Sequence, residues 1–303
     1  MPHAISAGAR IYWDEAGRGV PIVFIHEFAG DHRSWVDQVR HFARGWRCIT
    51  LSARGYPGSD APADEAAYGQ DQFDADVIAV MDAAGVDKAH IVGLSMGGYT
   101  TLRLGLKHAG RCLSLVAAGA GSGALKATRD QFIADVRATA TAFDARGTID
   151  AQAVGVGGTR IQLFNKDLVG WTEFTRHLAE HPAHAAAKTL RHVQALRPSL
   201  YDYEAELKAL TIPTLLIVGD EDEPCLAVNF WMKRLMPAAQ LAMLPGTGHA
   251  VSLEEPGPFN ALVERFIVSV ERGTWRPRDP RAVVGGTSSI LPATAAIPSA
   301  RAP

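Results

Sequence analysis

Apolar positions along this chain fall into short runs separated by longer stretches of helical spacing. The runs ARIYWDE (9–15), VPIVFIH (20–26), WRCITLS (46–52), HIVGL (90–94), CLSLVAAG (112–119), PTLLIVG (213–219) and AQLAML (239–244) are β-branched or apolar and predict strands. Between them, Trp35, Val39 and Phe42 share one face of a predicted helix over 31–44. Phe73, Val77, Val80 and Met81 do the same over 71–84. A third helix begins at Ser95, and a last one, over 255–271, carries Phe259, Leu262, Val263, Phe266 and Val270. Strands alternating with helices of this length predict an α/β fold: a mostly parallel, doubly covered sheet. Ligands in such folds sit beyond the carboxyl ends of the strands, so chemistry is sought there.

One stretch breaks the alternation. Between Gly119 and Pro213 no strand-like run recurs, and the Ala-rich segment DQFIADVRATATAFDAR (130–146) reads as helix. A structureless loop of that length is improbable in a compact domain, so a helical insertion over 125–207 is expected. Phe164 and Trp171 within it are candidates to line a pocket, with packing of the insertion as the plainer alternative. The stretch from 274 to 303, rich in Pro, Ala, Gly and Ser, is expected to be a disordered tail. The core is then expected over 1–124 and 208–273.

Composition narrows the function classes. With 47% hydrophobic and 20% charged residues the chain is ordinary for a soluble globular protein. Thirty basic against thirty-two acidic side chains leave a formal charge of −2, which argues against nucleic-acid or anionic-membrane partners. The first residues lack the basic-then-apolar order of a signal peptide. Cys48, Cys112 and Cys225 are scattered and odd in number, as expected of reduced core thiols in a cytoplasmic protein.

The chemistry concentrates at HIVGLSMGGYTTL (90–102), where a buried-strand pattern turns into a helix and a serine sits at the joint. Gly93-x-Ser95-x-Gly97 in that context suits a strained turn that presents the hydroxyl at the rim of the sheet. The glycines leave room for neighbouring backbone, and the helix N-terminus that follows supplies unpaired N–H groups, Met96 among them. The plain alternative is a serine N-cap without chemistry. A serine nucleophile needs a base, and the base an orienting acid. After the strand at 213–219 come Asp220, Glu221, Asp222 and Glu223, and after that at 239–244 comes His249 in a small-residue loop. The order Ser, acid, His is the one such an elbow requires.

These residues resemble the α/β-hydrolase superfamily. The likeness rests on His26 with Gly30, on Arg54-Gly55-Tyr56-Pro57-Gly58-Ser59, on the elbow, on Gly219-Asp220-Glu221-Asp222 and on Gly248-His249. It implies a catalytic triad of Ser95, Asp222 and His249, with Asp220 in reserve as the acid. The implied oxyanion donors are the backbone N–H groups of Phe28 and Met96, and the insertion takes the place of a cap. His26 and Glu27 are further pocket candidates. Two positions depart from the pattern: Glu27, where relatives commonly carry glycine, and Ser52, where they often carry aspartate. The Glu27 carboxylate is expected to point outward or to pair with a nearby Arg, the alternative being an inward carboxylate that disfavours anionic substrates. Arg160, Arg176 and Arg191 are expected on solvated helix faces rather than at a substrate carboxylate, and Arg54 is read as a structural anchor.

The resemblance implies a serine hydrolase acting on a small-to-medium carboxylic ester or related carbonyl compound. A C–C bond hydrolase or enol-lactonase using the same triad is the alternative, and a ligand-binding, non-catalytic member a further one. The expected partner is a small-molecule substrate. No metal or organic cofactor is expected, since no His-Glu-x-x-His, Cys-x-x-Cys or phosphate loop occurs.

Overall fold

In a computed structural model, residues 2–279 are described. Eight strands form one sheet: β1 (His3–Ser6), β2 (Ala9–Gly17), β3 (Pro21–Ile25), β4 (Arg47–Leu51), β5 (Ala89–Leu94), β6 (Cys112–Ala118), β7 (Thr214–Gly219) and β8 (Ala239–Leu244). Their order is β1-β2-β4-β3-β5-β6-β7-β8, with β1 and β2 antiparallel to their neighbours and every later pairing parallel. The central strands read as unbroken apolar runs because both of their faces are covered. Val23 and Ile25 of β3 enter one core, while Ile22 and Phe24 enter the other. Leu115 and Ala117 of β6 likewise oppose Val116 and Ala118.

Helices α1 (Val36–Phe42), α2 (Gln70–Ala83) and α3 (Met96–Lys107) follow β3, β4 and β5. The insertion between β6 and β7 carries α4 (Arg129–Arg146), α5 (Ala151–Gly155), α6 (Ile161–Lys166), α7 (Leu168–Ala179), α8 (Ala183–Thr189) and α9 (Glu204–Ala209). Then come α10 (Glu223–Leu235), α11 (Val251–Glu254) and α12 (Pro256–Glu271). Val77, Val80 and Met81 of α2, Leu102 of α3 and Val228 and Met232 of α10 close one face of the sheet. Phe42 of α1 and Phe259, Val263, Phe266 and Ile267 of α12 close the other. The apolar side chains of the insertion, including Phe143, Leu163, Phe174, Leu178 and Leu190, form a further cluster that takes in Ala29 of the loop after β3.

Several expectations are corrected. Strand β1 was not foreseen, because it is short and its turn places Ala7, at φ 45°, where a hairpin signal would show Asn or Gly. The predicted helix over 31–44 opens as a 3-10 turn, His32–Trp35, under a capping box made by Asp31 and Ser34. Helix α10 carries Trp231, whose ring lies against Tyr201 at 4.3 Å between centroids. The expected tail begins too early. Trp275 packs edge-on to Phe266 at 4.6 Å and donates to Ala238 O, while Arg278 donates to Lys233 O and Arg234 O. An aromatic with an apolar docking face holds that segment, and the rest of the expected tail, 280–303, lies outside the described residues.

The loop after β4 is tied down by Arg54. Its guanidinium is buried against Asp76 of α2, with Nε 2.8 Å from Oδ2, and Nη1 donates to Ala67 O at 2.7 Å. That is the anchoring role the sequence suggested. Ser52 Oγ shares a 2.8 Å hydrogen bond with His32 Nδ1 and its carbonyl accepts from Ser59 Oγ, so this departure from the family pattern also serves the loop.

Candidate active site

Because β3, β5, β7 and β8 run parallel, the loops that leave them open on the same edge of the sheet. The loop after β5 is the tight turn at Ser95, with φ 55° and ψ −109°, one of two non-glycine residues at positive φ among those described. The torsion persists because the surroundings enforce it. Ser95 N–H donates to Ala118 O at 2.7 Å, and Ser95 O accepts the first helical bond of α3 from Tyr99 at 2.8 Å. A Cβ at Gly97 would stand 2.0 Å from Ile25 O, and one at Gly93 would stand 2.1 Å from Gly97 O. Backbone approaches this close admit only glycine.

The loops after β7 and β8 bring the other two groups. Asp222 accepts from His249 Nδ1 at 2.8 Å, and His249 Nε2 lies 2.7 Å from Ser95 Oγ. With Nδ1 holding its proton toward the carboxylate, Nε2 is left to accept from the serine hydroxyl. Burial pushes the Asp222 carboxyl up, but the facing imidazole, with help from Cys225 and Arg160, outweighs it and leaves the group below the ordinary aspartate range. Asp220, the reserve acid, instead accepts from Thr247 N–H at 3.1 Å and braces the His249 loop. Cys225 Sγ, an Asp222 oxygen and a His249 nitrogen lie within 4.8 Å of one another, a set with metal-ligating types. Burial holds the Cys225 thiol well above its usual range, and its Sγ donates to Gly119 O at 3.3 Å.

Met96 is the first residue of α3, so its N–H has no partner within the helix. Phe28 N–H has no acceptor among the described residues either. Both side chains pack in one small cluster with Tyr56, Phe73 and Val193.

The remaining pocket candidates are His26, Glu27, Trp171 and Phe164. His26 is buried and used up by backbone: Nδ1 donates to Glu27 O at 2.6 Å, and Nε2 accepts from Ala53 N–H at 3.0 Å. Burial lowers its pKa to about 4, so it is a neutral brace between two loops. Glu27 does not point outward; it is 1% exposed, and its carboxylate pairs with Arg160 of the insertion. The pairing with an arginine was expected, the depth was not. Arg160 correspondingly leaves the solvated face assigned to it, whereas Arg176 pairs with Glu173 and Glu180, and Arg191 with Asp144, at the surface. Trp171 is tied into the insertion, donating to Gly155 O at 3.0 Å and meeting Phe164 edge-on at 5.0 Å, and Phe164 is 39% exposed.

Thr159 was missed altogether. Its carbonyl accepts from His249 N–H at 2.7 Å, and Gln162 Nε2 donates to Glu221 Oε2 nearby. The sequence around it, VGVGGTR, has no periodicity that would mark a contact.

Similarity to known proteins agrees with this architecture. A sequence profile of the alpha/beta hydrolase fold matches residues 20–256. The chain is 29% identical over 258 residues to 3-oxoadipate enol-lactonase 1 of Acinetobacter baylyi, covering 82% of this chain and 89% of that one. It is 26% identical over 270 residues to 2-hydroxy-6-oxo-6-phenylhexa-2,4-dienoate hydrolase of Burkholderia cepacia, covering 86% and 92%. The crystal structure of the enol-lactonase from Burkholderia xenovorans LB400 shares the fold, with a TM-score of 0.75 at 20% identity over 88% of this chain and all of that one. The profile match across most of the chain, with the parallel sheet and the serine turn after β5, makes this chain a member of the alpha/beta hydrolase fold family, and a hydrolase.

Proposed function

We propose that the chain is a serine hydrolase that cleaves a small-to-medium carboxylic ester or related carbonyl compound through an acyl-enzyme on Ser95. The observation that carries the reading is the unbroken run Ser95 Oγ, His249, Asp222 at 2.7 and 2.8 Å on three loops at one edge of the sheet. Ser95 Oγ attacks the carbonyl carbon as its proton passes to His249 Nε2. The carbonyl oxygen takes the negative charge, facing the N–H groups of Phe28 and Met96. Collapse breaks the bond to the leaving group, which takes the proton from Nε2. Water then repeats the sequence in reverse, with His249 as base, and releases the acid. Asp222 holds the imidazole in the required tautomer and stabilises its cation. The helical insertion acts as the lid over the site.

The reading includes a cytoplasmic location, supported by three free, buried cysteines. Among the described residues no helix is long and apolar enough to cross a membrane. The names of the two sequence relatives favour a second reading with the same three residues: an enol-lactonase or a C–C bond hydrolase.

The test is labelling by a fluorophosphonate probe, read by intact mass on wild type and Ser95→Ala. One adduct on wild type, absent from the variant, is expected. A folded wild type that stays unlabelled, by this probe and by a smaller one, would move the reading to a ligand-binding protein.

A further inference from the structure

We infer that the site takes an uncharged substrate, because Glu27 neutralises Arg160, the cation that the insertion brings against it; this rests on the hydrolase reading above. Arg160 ends the 3-10 turn Gly158–Arg160, and the neighbouring Thr159 carbonyl is bonded to the His249 amide. The turn is therefore seated on the loop that carries the base. Its charge reaches the site, since it helps hold the Asp222 carboxyl low. A guanidinium at such a place is suited to a substrate carboxylate. Here that role is already filled: Glu27, the residue next to the oxyanion donor Phe28, gives Oε2 to Arg160 Nη2.

The pair is not built as a stabilising bridge. Glu27 Oε1 and Arg160 Nε are both buried, and neither has a hydrogen-bond partner among the described residues. A buried ion pair with unmet hydrogen bonds is weak evidence for stability, because desolvation opposes the attraction. Its effect on an incoming ligand is plainer. A carboxylate would find the guanidinium occupied and could reach it only by displacing Glu27. A neutral ester or lactone meets no such penalty. The Tyr56 hydroxyl, buried and unpartnered in the cluster with Met96 and Phe28, and Thr189 beside it add no charge, and the Glu254 carboxylate behind the His249 loop is taken up by the N–H groups of Gly248 and Ala250. The remaining insertion arginines considered as carboxylate ligands, Arg176 and Arg191, are held at surface ion pairs.

The experiment compares 4-nitrophenyl butyrate with 4-nitrophenyl hydrogen glutarate, which adds a carboxylate to an acyl chain of similar reach. Wild type is expected to favour the neutral ester in kcat/KM. Glu27→Gln keeps the shape, frees the guanidinium, and is expected to raise the anionic-to-neutral ratio on the order of tenfold or more, the worth of one charge-assisted hydrogen bond. Adding Arg160→Met to that variant should erase the gain. Calorimetric titration with glutarate gives a readout free of turnover: no binding to wild type, binding to Glu27→Gln, and loss again in the double variant. A wild type that prefers the anionic ester, or that binds glutarate as tightly as Glu27→Gln does, overturns the inference. So does an unchanged ratio in a Glu27→Gln protein with a normal thermal transition. Should neither ester turn over and Ser95 stay unlabelled, the hydrolase reading fails, while glutarate binding still decides whether Glu27 masks the charge.

Discussion

The carbonyl of Thr159, in the helical insertion, accepts a 2.7 Å hydrogen bond from the backbone N–H of His249. The amide of the proposed base is thus held by the insertion rather than by its own loop. A Cβ at the adjacent Gly248 would stand 2.1 Å from that same carbonyl. The approach is too close for any side chain, so the insertion and the His249 loop fit together only with glycine there.

Gly248→Ala is therefore expected to push the two segments apart. Overpacking of this kind costs about 1–3 kcal/mol. We expect a lower thermal midpoint together with a fall in kcat/KM of tenfold or more, as His249 loses its register. Calorimetry and ester kinetics on the one variant check both; a variant unchanged in both would show that the contact is idle.

The assignment of the acid separates two neighbours. Asp222 accepts from His249 Nδ1, whereas Asp220 accepts from the Thr247 amide. Replacing an orienting aspartate with asparagine leaves the wrong tautomer facing the serine, an effect of about 10⁴ in kcat in a serine protease. Asp222→Asn should approach that loss, and Asp220→Asn should stay within roughly tenfold of wild type. Equal effects on ester turnover would sink the distinction.

Strain at the elbow gives an opposition between stability and activity. Ser95 holds φ 55° and ψ −109°, a region costly for any residue with a Cβ. Ser95→Gly relieves that strain, while Ser95→Ala keeps it. Both lose activity, and the glycine variant is expected to be the more stable of the two by about 1 kcal/mol, net of its extra unfolded-state entropy. Urea denaturation of the pair measures the difference, and an alanine variant as stable as the glycine one would mean the torsion is not strained.

Acid sensitivity follows from two buried histidines. Burial lowers His26 and His90 to about 4, so each is neutral in the fold and takes up its proton on unfolding near the ordinary 6.5. The unfolded state then binds more protons between these values, and stability falls as pH drops from about 6.5 toward about 4. Near pH 5 each contributes a slope of about 1 kcal/mol per pH unit. His26→Gln should remove one such slope, whatever it does to stability at pH 7. Denaturant curves at pH 7, 6 and 5 give the slopes directly, and a variant as acid-sensitive as wild type would contradict the assignment.

Much of this protein is legible from local pattern. Strands β3 to β7 announce themselves because a strand buried on both faces must be apolar throughout, α2 and α12 because one face repeats at helical spacing, and α4 because it is rich in alanine. The serine turn is legible for a related reason: its strain and close backbone approaches require glycines within two residues, so the requirement is written into adjacent positions. Chain order alone put an acid and His249 after later strands, though which of Asp220 and Asp222 faces the imidazole needed the family likeness to choose and the tertiary structure to display.

What tertiary structure alone decided are the contacts between distant parts of the chain. Glu27 and Arg160 meet across 133 positions, and nothing local to either residue distinguishes a buried pair from two solvated charges. Thr159 reaches the His249 amide through a backbone carbonyl, a group every residue carries. Trp275 is an aromatic in a segment of low-complexity composition, and Phe266 with the Ala238 carbonyl makes it a docked one. Periodicity records which side of an element is buried; it does not record against what. The partners are set when the sheet edge, the loops and the insertion close on one another, and that closure decides which charges are left to meet a substrate.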